Sequence, residues 1–189
     1  MSTRLQIAVV LAAAGLSASA ARADVTIIGN GLAAACSAAA RSVANNGPAR
    51  GEGLQQCTLA LENEVLSSHE TAATYVNRGV LRLADRAFGA AKTDFDAALR
   101  VEHNLPEALT NRGAALIGQG RDADGIAEID KGLALGPMEP EKAYFNRAVA
   151  EERLGDLKSA YNDYRRALEL KPDWSLPQTE LARFRVTQQ

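Results

Sequence analysis

The chain has 189 residues, of which 47% are hydrophobic and 23% are charged, and its formal net charge is −2. This mild acidity argues against a nucleic-acid partner, which would require a basic stripe. Alanine, leucine, glutamate and arginine dominate, and only Val25–Ile28 resembles an alternating strand. The sequence therefore predicts an all-α fold.

The N-terminal segment, residues 1–23, has the layout of a secretory signal peptide. Arg4 precedes an apolar run from Leu5 to Leu16, and small residues follow. That run of about 12 residues is shorter than the roughly 20 needed to cross a bilayer. We expect cleavage before Asp24, with cleavage before Ala21 as an alternative; a buried N-terminal helix is the structural alternative.

The mature chain is expected to be exported, to a bacterial periplasm. Loss of Arg4 and Arg22 with the leader would change the net charge from −2 to −4. No cysteine lies at either cleavage point and no later segment is apolar enough to span a bilayer. We therefore expect neither a lipid anchor nor membrane insertion of the mature chain.

The segment 24–71 is expected to form a helical pair, with helices over about 32–43 and 54–67 and a turn-rich loop at 45–53. Each helix carries one of the two cysteines, Cys36 and Cys57. An even count in an exported chain favours a disulfide bond. A redox-active pair is the alternative, but the C-x-x-C spacing is missing.

A motif of asparagine, arginine and a small residue occurs three times, as YVNRG, LTNRG and YFNRA. Its small residues, Gly79, Gly113 and Ala148, are separated by 34 and 35 residues. When each is numbered position 8 of a unit, position 20 is small and position 24 is large and apolar: Ala91, Gly125 and Ala160, then Phe95, Ile129 and Tyr164. The pattern predicts two antiparallel helices that cross closely at positions 8 and 20.

This pattern resembles the tetratricopeptide repeat. The resemblance covers residues 72–173, in units 72–105, 106–140 and 141–173. It implies helix-turn-helix units stacked into a right-handed superhelix with a concave inner face. The middle unit departs from the pattern with Leu109 at the usual aromatic position 4, and Cys57 looks like the small position 20 of a degenerate earlier unit.

Two further patterns lie inside the repeats. Position 7 is always arginine and position 23 always acidic, which predicts the ion pairs Arg78–Asp94, Arg112–Glu128 and Arg147–Asp163. An arginine ladder for an anionic ligand is the alternative interpretation. Gly120 and Gly155 provide the turns of their units, whereas Arg86 in the first unit predicts a differently shaped turn.

The second helix of the middle unit, residues 122–135, is predicted to be the weakest because it contains Gly125 and Gly132. The C-terminal segment, 174–189, is expected to cap the array with a helix from Ser175 to Val186. Trp174 should lie beneath this cap; an exposed ligand platform is the alternative.

The resemblance implies that the first helix of each unit lines the concave face. An asparagine row there has the donors and acceptors to bind the backbone of an extended peptide, although these amides would also be satisfied by neighbours or water. Asn111 and Lys142 match two positions of a clamp for a C-terminal carboxylate; Val76, Val80 and Asn146 do not, so we predict no clamp. The candidate partner-binding residues are Asn77, Val80, Asn111, Ala114, Lys142, Phe145, Asn146 and Val149.

No catalytic constellation, cofactor motif or metal-ligand spacing stands out, and His69 and His103 lie in unrelated contexts. The sequence therefore predicts a non-catalytic interaction module that holds a peptide or protein partner in the groove. The alternative is a structural or envelope-assembly component that acts through self-association. The sequence does not predict the oligomeric state.

Overall fold

The computed structural model describes residues 31–44 and 51–184, so the expected leader 1–23 and Val25–Ile28 lie outside it. The described ranges form helices without a strand, and the expected all-α fold is confirmed. The helices are α1 (Leu32–Ala44), α2 (Gly51–Asn63), α3 (Ser68–Ala84), α4 (Phe88–Val101), α5 (Pro106–Gly118), α6 (Asp122–Leu135), α7 (Pro140–Arg153), α8 (Leu157–Leu170) and α9 (Ser175–Leu181).

The helices pack as consecutive hairpins, α1 with α2 through α7 with α8, and α9 packs on α8. The small residues lie where each pair crosses. A methyl group on Gly113 would approach the carbonyl oxygen of Gly125 to 2.7 Å, and Ala148 and Ala160 share one fully buried cluster. The large side chains at position 24, Phe95, Ile129 and Tyr164, are at most 1% exposed. Their burial confirms that they fill the space between hairpins.

The turns within the three repeats have one shape. Gly120 and Gly155 adopt φ of 77° and 84°, and Arg86 adopts φ of 58° at the same place. In each turn the following amide bonds back to the first helix, as Ala87 N–H does to the Arg82 carbonyl at 2.8 Å. The expectation of a differently shaped first turn is therefore wrong; Arg86 adopts the left-handed backbone that glycine takes elsewhere at lower cost.

Two helix boundaries differ from the sequence expectation. α2 ends at Asn63 rather than near Ser67, because Ser67 caps the next helix: its hydroxyl accepts from Glu70 N–H while its own N–H donates to Glu70 Oε2 at 2.9 Å. α3 consequently starts four residues before the expected repeat boundary at Ala72. At the other end α9 stops at Leu181, short of the expected Val186.

The first hairpin is closed by the expected disulfide between Cys36 and Cys57, whose Cα atoms lie 4.7 Å apart. The close helix crossing, however, is one turn away: a methyl group on Gly53 would lie 2.6 Å from the Ala39 Cβ. Gly53 therefore takes the place of the small position 20, and Cys57 follows it by four residues, as Phe95 follows Ala91. Cys57 thus corresponds to the space-filling position 24, and its expected placement at position 20 is wrong.

Within the described ranges, no helix combines the length and apolar character needed to cross a bilayer.

Candidate functional site

The predicted ion pairs within each repeat are present. Arg78 Nη2 lies 2.8 Å from Asp94 Oδ1 and Arg147 Nε lies 2.6 Å from Asp163 Oδ2. Arg112 Nε donates to Glu128 Oε2 at 3.0 Å. Each pair joins the two helices of one hairpin, so the structural interpretation of position 7 is confirmed.

Each of these arginines also reaches back to the preceding hairpin, which the sequence reasoning missed. Arg112 Nη1 lies 3.0 Å from Asp96 and Arg147 Nη1 lies 2.5 Å from Asp130. Arg78 Nη1 donates to the Thr58 hydroxyl at 3.2 Å. The three acceptors occupy position 25 when Cys57 is aligned with position 24. A polar residue that recurs at position 25 is therefore the sequence signal that would have predicted these contacts.

These contacts leave little of the guanidinium groups for a ligand, since the arginine side chains are only 15–21% exposed. Burial raises the pKa of Asp96, but hydrogen bonds from Lys92 and Arg112 outweigh it and hold that pKa below its usual value. Burial and the bonds from Lys131 and Arg112 act on the pKa of Glu128 in the same way, with a net decrease. The arginine row therefore joins hairpins through acceptors of the chain itself.

The third repeat carries an excess of carboxylates around Arg147. Its hydrogen bond to Asp163 raises the pKa of Arg147 despite partial burial. Glu151 Oε1 lies 3.9 Å from the Arg147 Nε, and the buried Oε2 has no hydrogen-bond partner among the described residues. Burial, together with the charge of Asp163, raises the pKa of Glu151 to about 7.

Three of the eight candidate binding residues pack against neighbouring elements. Val80 packs on the cluster of Cys36 and Cys57. Phe145 and Val149 pack against Ala148 and Tyr164 together with Leu181 and Phe184 from the C-terminal segment. Trp174 is half-buried, with its ring 4.9 Å from that of Phe145. The two ends of the predicted groove are therefore occupied by the chain itself.

Three other candidates, Asn111, Lys142 and Asn146, line one cleft between α5 and α7. About 410 Å³ of empty space lies in and above this cleft when the adjoining open solvent is counted. The α6–α7 linker forms its rim, where the left-handed Gly136 turns the chain after α6. The remaining lining residues are Glu107, Thr110, Pro137, Met138, Glu139 and Ala143.

The asparagine row is half-buried and faces no protein partner in the described part of the chain. The side-chain amides of Asn77, Asn111 and Asn146 make no hydrogen bond to any described residue. Neighbouring side chains therefore do not satisfy these amides, which leaves water or a ligand. Ala114, the last candidate, is half-buried on α5.

The described residues contain no group of three or more histidine, cysteine or carboxylate side chains placed to hold a metal ion. His69 Nδ1 lies 3.1 Å from Glu102 Oε2 at an exposed surface, and His103 is also exposed.

The described helices form a solenoid of helical hairpins with a cleft between α5 and α7. Residues 141–173 match the family model of the tetratricopeptide repeat. A search of curated proteins by sequence gave no significant match.

Solved structures show the same fold. TTC0263, a thermophilic TPR protein of Thermus thermophilus, superposes with a TM-score of 0.60 at 19% identity over 76% of each chain. MamA 41-end from Desulfovibrio magneticus RS-1 gives 0.59 at 17% identity, over 79% of this chain and 81% of that chain. The first TPR of Spaghetti (RPAP3), bound to HSP90 peptide SRMEEVD, gives 0.55 at 24% identity over 60% and 90%. The chain thus shares the fold of these structures, and its third unit matches the tetratricopeptide-repeat model.

Proposed function

We propose that this protein is a non-catalytic interaction module that holds a peptide segment of a protein partner in the cleft between α5 and α7. The observation that carries the proposal is the pair of cleft amides, Asn111 and Asn146, which bond no described residue. An amide side chain offers one acceptor and two donor hydrogens, which suits the alternating groups of a peptide backbone. A backbone ligand would satisfy both amides without any chemistry by the protein.

The similarity in fold supports a peptide ligand of some kind. The Spaghetti domain is bound to an HSP90 peptide, so a domain of this fold is able to take a peptide. The identity of 24% carries the fold and not the ligand. The peptide bound by this chain is therefore inferred from its own cleft.

The groove is tested most directly by site-specific photo-crosslinking in the native cell. A photoreactive residue at position 111 or 146 should yield one discrete heavier adduct, because a seated peptide lies within reach of both positions. The matched control is Asn162, an exposed asparagine on α8 outside the cleft. Adducts of equal yield from position 162 would contradict a partner in the cleft.

Self-association as a structural component is the second candidate function. Leu170 and Leu176 are 39% and 49% exposed at the C-terminal end of the array, where a second copy could pack. Crosslinks from position 176 to a second copy of the chain, with sedimentation as a dimer, would favour this function. A monomer in solution with heterologous adducts at position 111 would favour the groove.

We propose export to an oxidising compartment as the setting for this function. The disulfide between Cys36 and Cys57 and the expected leader 1–23 both support it. Cell fractionation with mass spectrometry of the intact chain tests this proposal. A periplasmic species that begins at Asp24 or Ala21 with no free thiol is expected, whereas a cytoplasmic species with two free thiols would contradict export.

A further inference from the structure

The cleft carries more negative than positive charge. Lys142 is the cationic residue of its lining, and Lys142 Nζ already lies 2.7 Å from Glu139 Oε1. Glu107 Oε1 accepts the Met138 backbone N–H at 3.2 Å, and this backbone donor carries no charge to balance the carboxylate. A ligand that enters here meets a net negative field.

Next to these carboxylates the rim offers one large apolar contact. Met138 is 86% exposed, and its backbone is fixed by the bond to Glu107. A flexible thioether packs well against aliphatic chains. The rim thus places an apolar surface beside a carboxylate. A long cationic side chain suits this arrangement, because its apolar stem packs on the one while its charge faces the other.

We propose that the cleft selects an internal peptide segment that carries lysine or arginine, and that it disfavours acidic segments and free carboxyl termini. The inference rests on the proposed function, since it names the chemistry of the peptide held by Asn111 and Asn146. The backbone of the segment bonds to the two amides. Its cationic side chain lies along Met138 with its charge toward Glu107.

The test uses a positional-scanning library of nine-residue peptides with acetylated and amidated ends, captured on the immobilised full chain and identified by mass spectrometry. Lysine and arginine should be enriched over aspartate and glutamate by about fivefold per selected position. The enrichment should shrink between about 0.05 M and 0.5 M salt, because an exposed ion pair is screened.

Two double variants separate the parts of the inference. Glu107→Gln with Glu139→Gln keeps an oxygen acceptor for the Met138 N–H. Because Lys142 is then the remaining charge of the lining, this variant should lose the preference for lysine and arginine while peptides still bind. Its control, Glu52→Gln with Glu62→Gln, removes two exposed carboxylates of α2 and should change nothing. Asn111→Ala with Asn146→Ala should abolish capture of all peptides, whereas Asn162→Ala should not. Circular dichroism melts verify that every variant is folded.

The outcomes distinguish a failure of this inference from a failure of the proposed function. Capture that depends on Asn111 and Asn146 but is indifferent to charge, or favours acidic peptides, overturns the inference and keeps the proposed function. Capture that persists in the double asparagine variant, or no capture of any peptide, overturns both.

Discussion

At the residue scale, Arg147 neutralises more carboxylate than the other arginines of the row. It bonds to Asp163 at 2.6 Å and to Asp130 at 2.5 Å, and the Asp163 side chain is only 10% exposed. Arg147→Ala would leave Asp163 unpaired in a poorly solvated site, so we expect a loss of about 2–3 kcal/mol in the free energy of unfolding. Urea denaturation measures it.

The matched control for this prediction is the exposed pair of Arg121 and Asp124, whose side chains are 52% and 56% exposed. Arg121→Ala should cost less than about 0.5 kcal/mol, because exposed pairs contribute little. Equal losses from the two variants would show that partial burial of the Arg147 network has no energetic effect.

Glu151 makes the stability of the third repeat depend on pH. Burial raises its pKa from the ordinary 4.5 to about 7, so the folded chain binds this proton more tightly than the unfolded chain. The stabilisation is fully present below about pH 4.5 and is lost as the pH rises through about 7. Around this carboxyl lie Asp163, Asp156 and Asp130 as well as Arg147, and the three aspartates all oppose its ionisation.

Glu151→Gln should therefore leave stability at pH 4.5 nearly unchanged and raise it at pH 8.5 by about 1–2 kcal/mol, after allowance for solvent screening. Urea denaturation at the two pH values measures the difference, with Glu62→Gln on the exposed face of α2 as the control. The same gain at both pH values would mean that packing, not ionisation, explains the change.

The sequence predicted the ion pairs that each arginine of the row forms within its own hairpin. It did not predict the contacts of these arginines with the preceding hairpin. Positions 7 and 23 belong to one unit, so their proximity follows from helix pairing alone. The contact of Arg112 with Asp96 depends on how one hairpin is staggered on the next, which no periodicity within a unit reveals. The burial of Glu151 was equally hidden, because Arg82 and Leu116 occupy the same position elsewhere.

At the scale of the element, α6 contains two glycines that other repeats replace by alanine. Their positions are tight: a methyl group on Gly125 would lie 2.5 Å from the Ile117 Cγ1 and 2.8 Å from the Gly113 carbonyl oxygen. Gly125→Ala should therefore destabilise by about 1–2 kcal/mol in urea denaturation, although alanine has the higher helix propensity.

Gly89 in α4 provides the opposite case, since a methyl group there meets nothing within 4 Å. Gly89→Ala should stabilise the protein by about 0.5–1 kcal/mol through helix propensity alone. If Gly125→Ala were also stabilising, the close crossing of α5 and α6 would be wrong.

The two glycines still cost α6 helix propensity, about 1 kcal/mol each relative to alanine. We therefore predict that α6 frays before the other helices of the three repeats. Native-state hydrogen exchange measures this, through the protection of the α6 amides against those of α4 and α8. Protection in α6 that exceeds both neighbours would contradict the prediction.

Helix existence was predictable from the repeat pattern, but some helix ends were not. Ser67 was expected inside a helix, yet it forms a capping box with Glu70 and starts a new one. The signal was present in the sequence as serine followed three residues later by glutamate. The extent of α9 was extrapolated from the first helix of a full unit, whereas this helix ends at Leu181.

At the scale of the whole molecule, each hairpin contacts mainly its neighbours, so stability is expected to be a sum of local and nearest-neighbour terms. The cleft follows the same logic, because Asn111 and Asn146 come from adjacent units and meet only when those units stack. The sequence predicted the row of asparagines. It did not predict that Val80, Phe145 and Val149 would be covered at the two ends, since the helices that cover them lie outside the repeats.

The first hairpin is the exception to this uniform array because a covalent bond stabilises it. Cys36 and Cys57 are separated by 21 residues, and closing such a loop contributes about 3 kcal/mol on the chain-entropy account. The hairpin contacts the repeats through Leu81 and Val80. Loss of the bond should therefore unfold α1 and α2 at lower urea than α3 to α8, which retain their own interfaces.

Cys36→Ala with Cys57→Ala should convert one unfolding transition into two, as followed by hydrogen exchange resolved to each helix. The wild-type chain in reductant should behave like this variant, and the variant itself should be insensitive to reductant, which separates the bond from the side-chain replacement. Because α3 carries its own capping box at Ser67, it is able to begin a folded array without the first hairpin. Simultaneous loss of all helices would instead mean that the first hairpin and the repeats unfold as one cooperative unit.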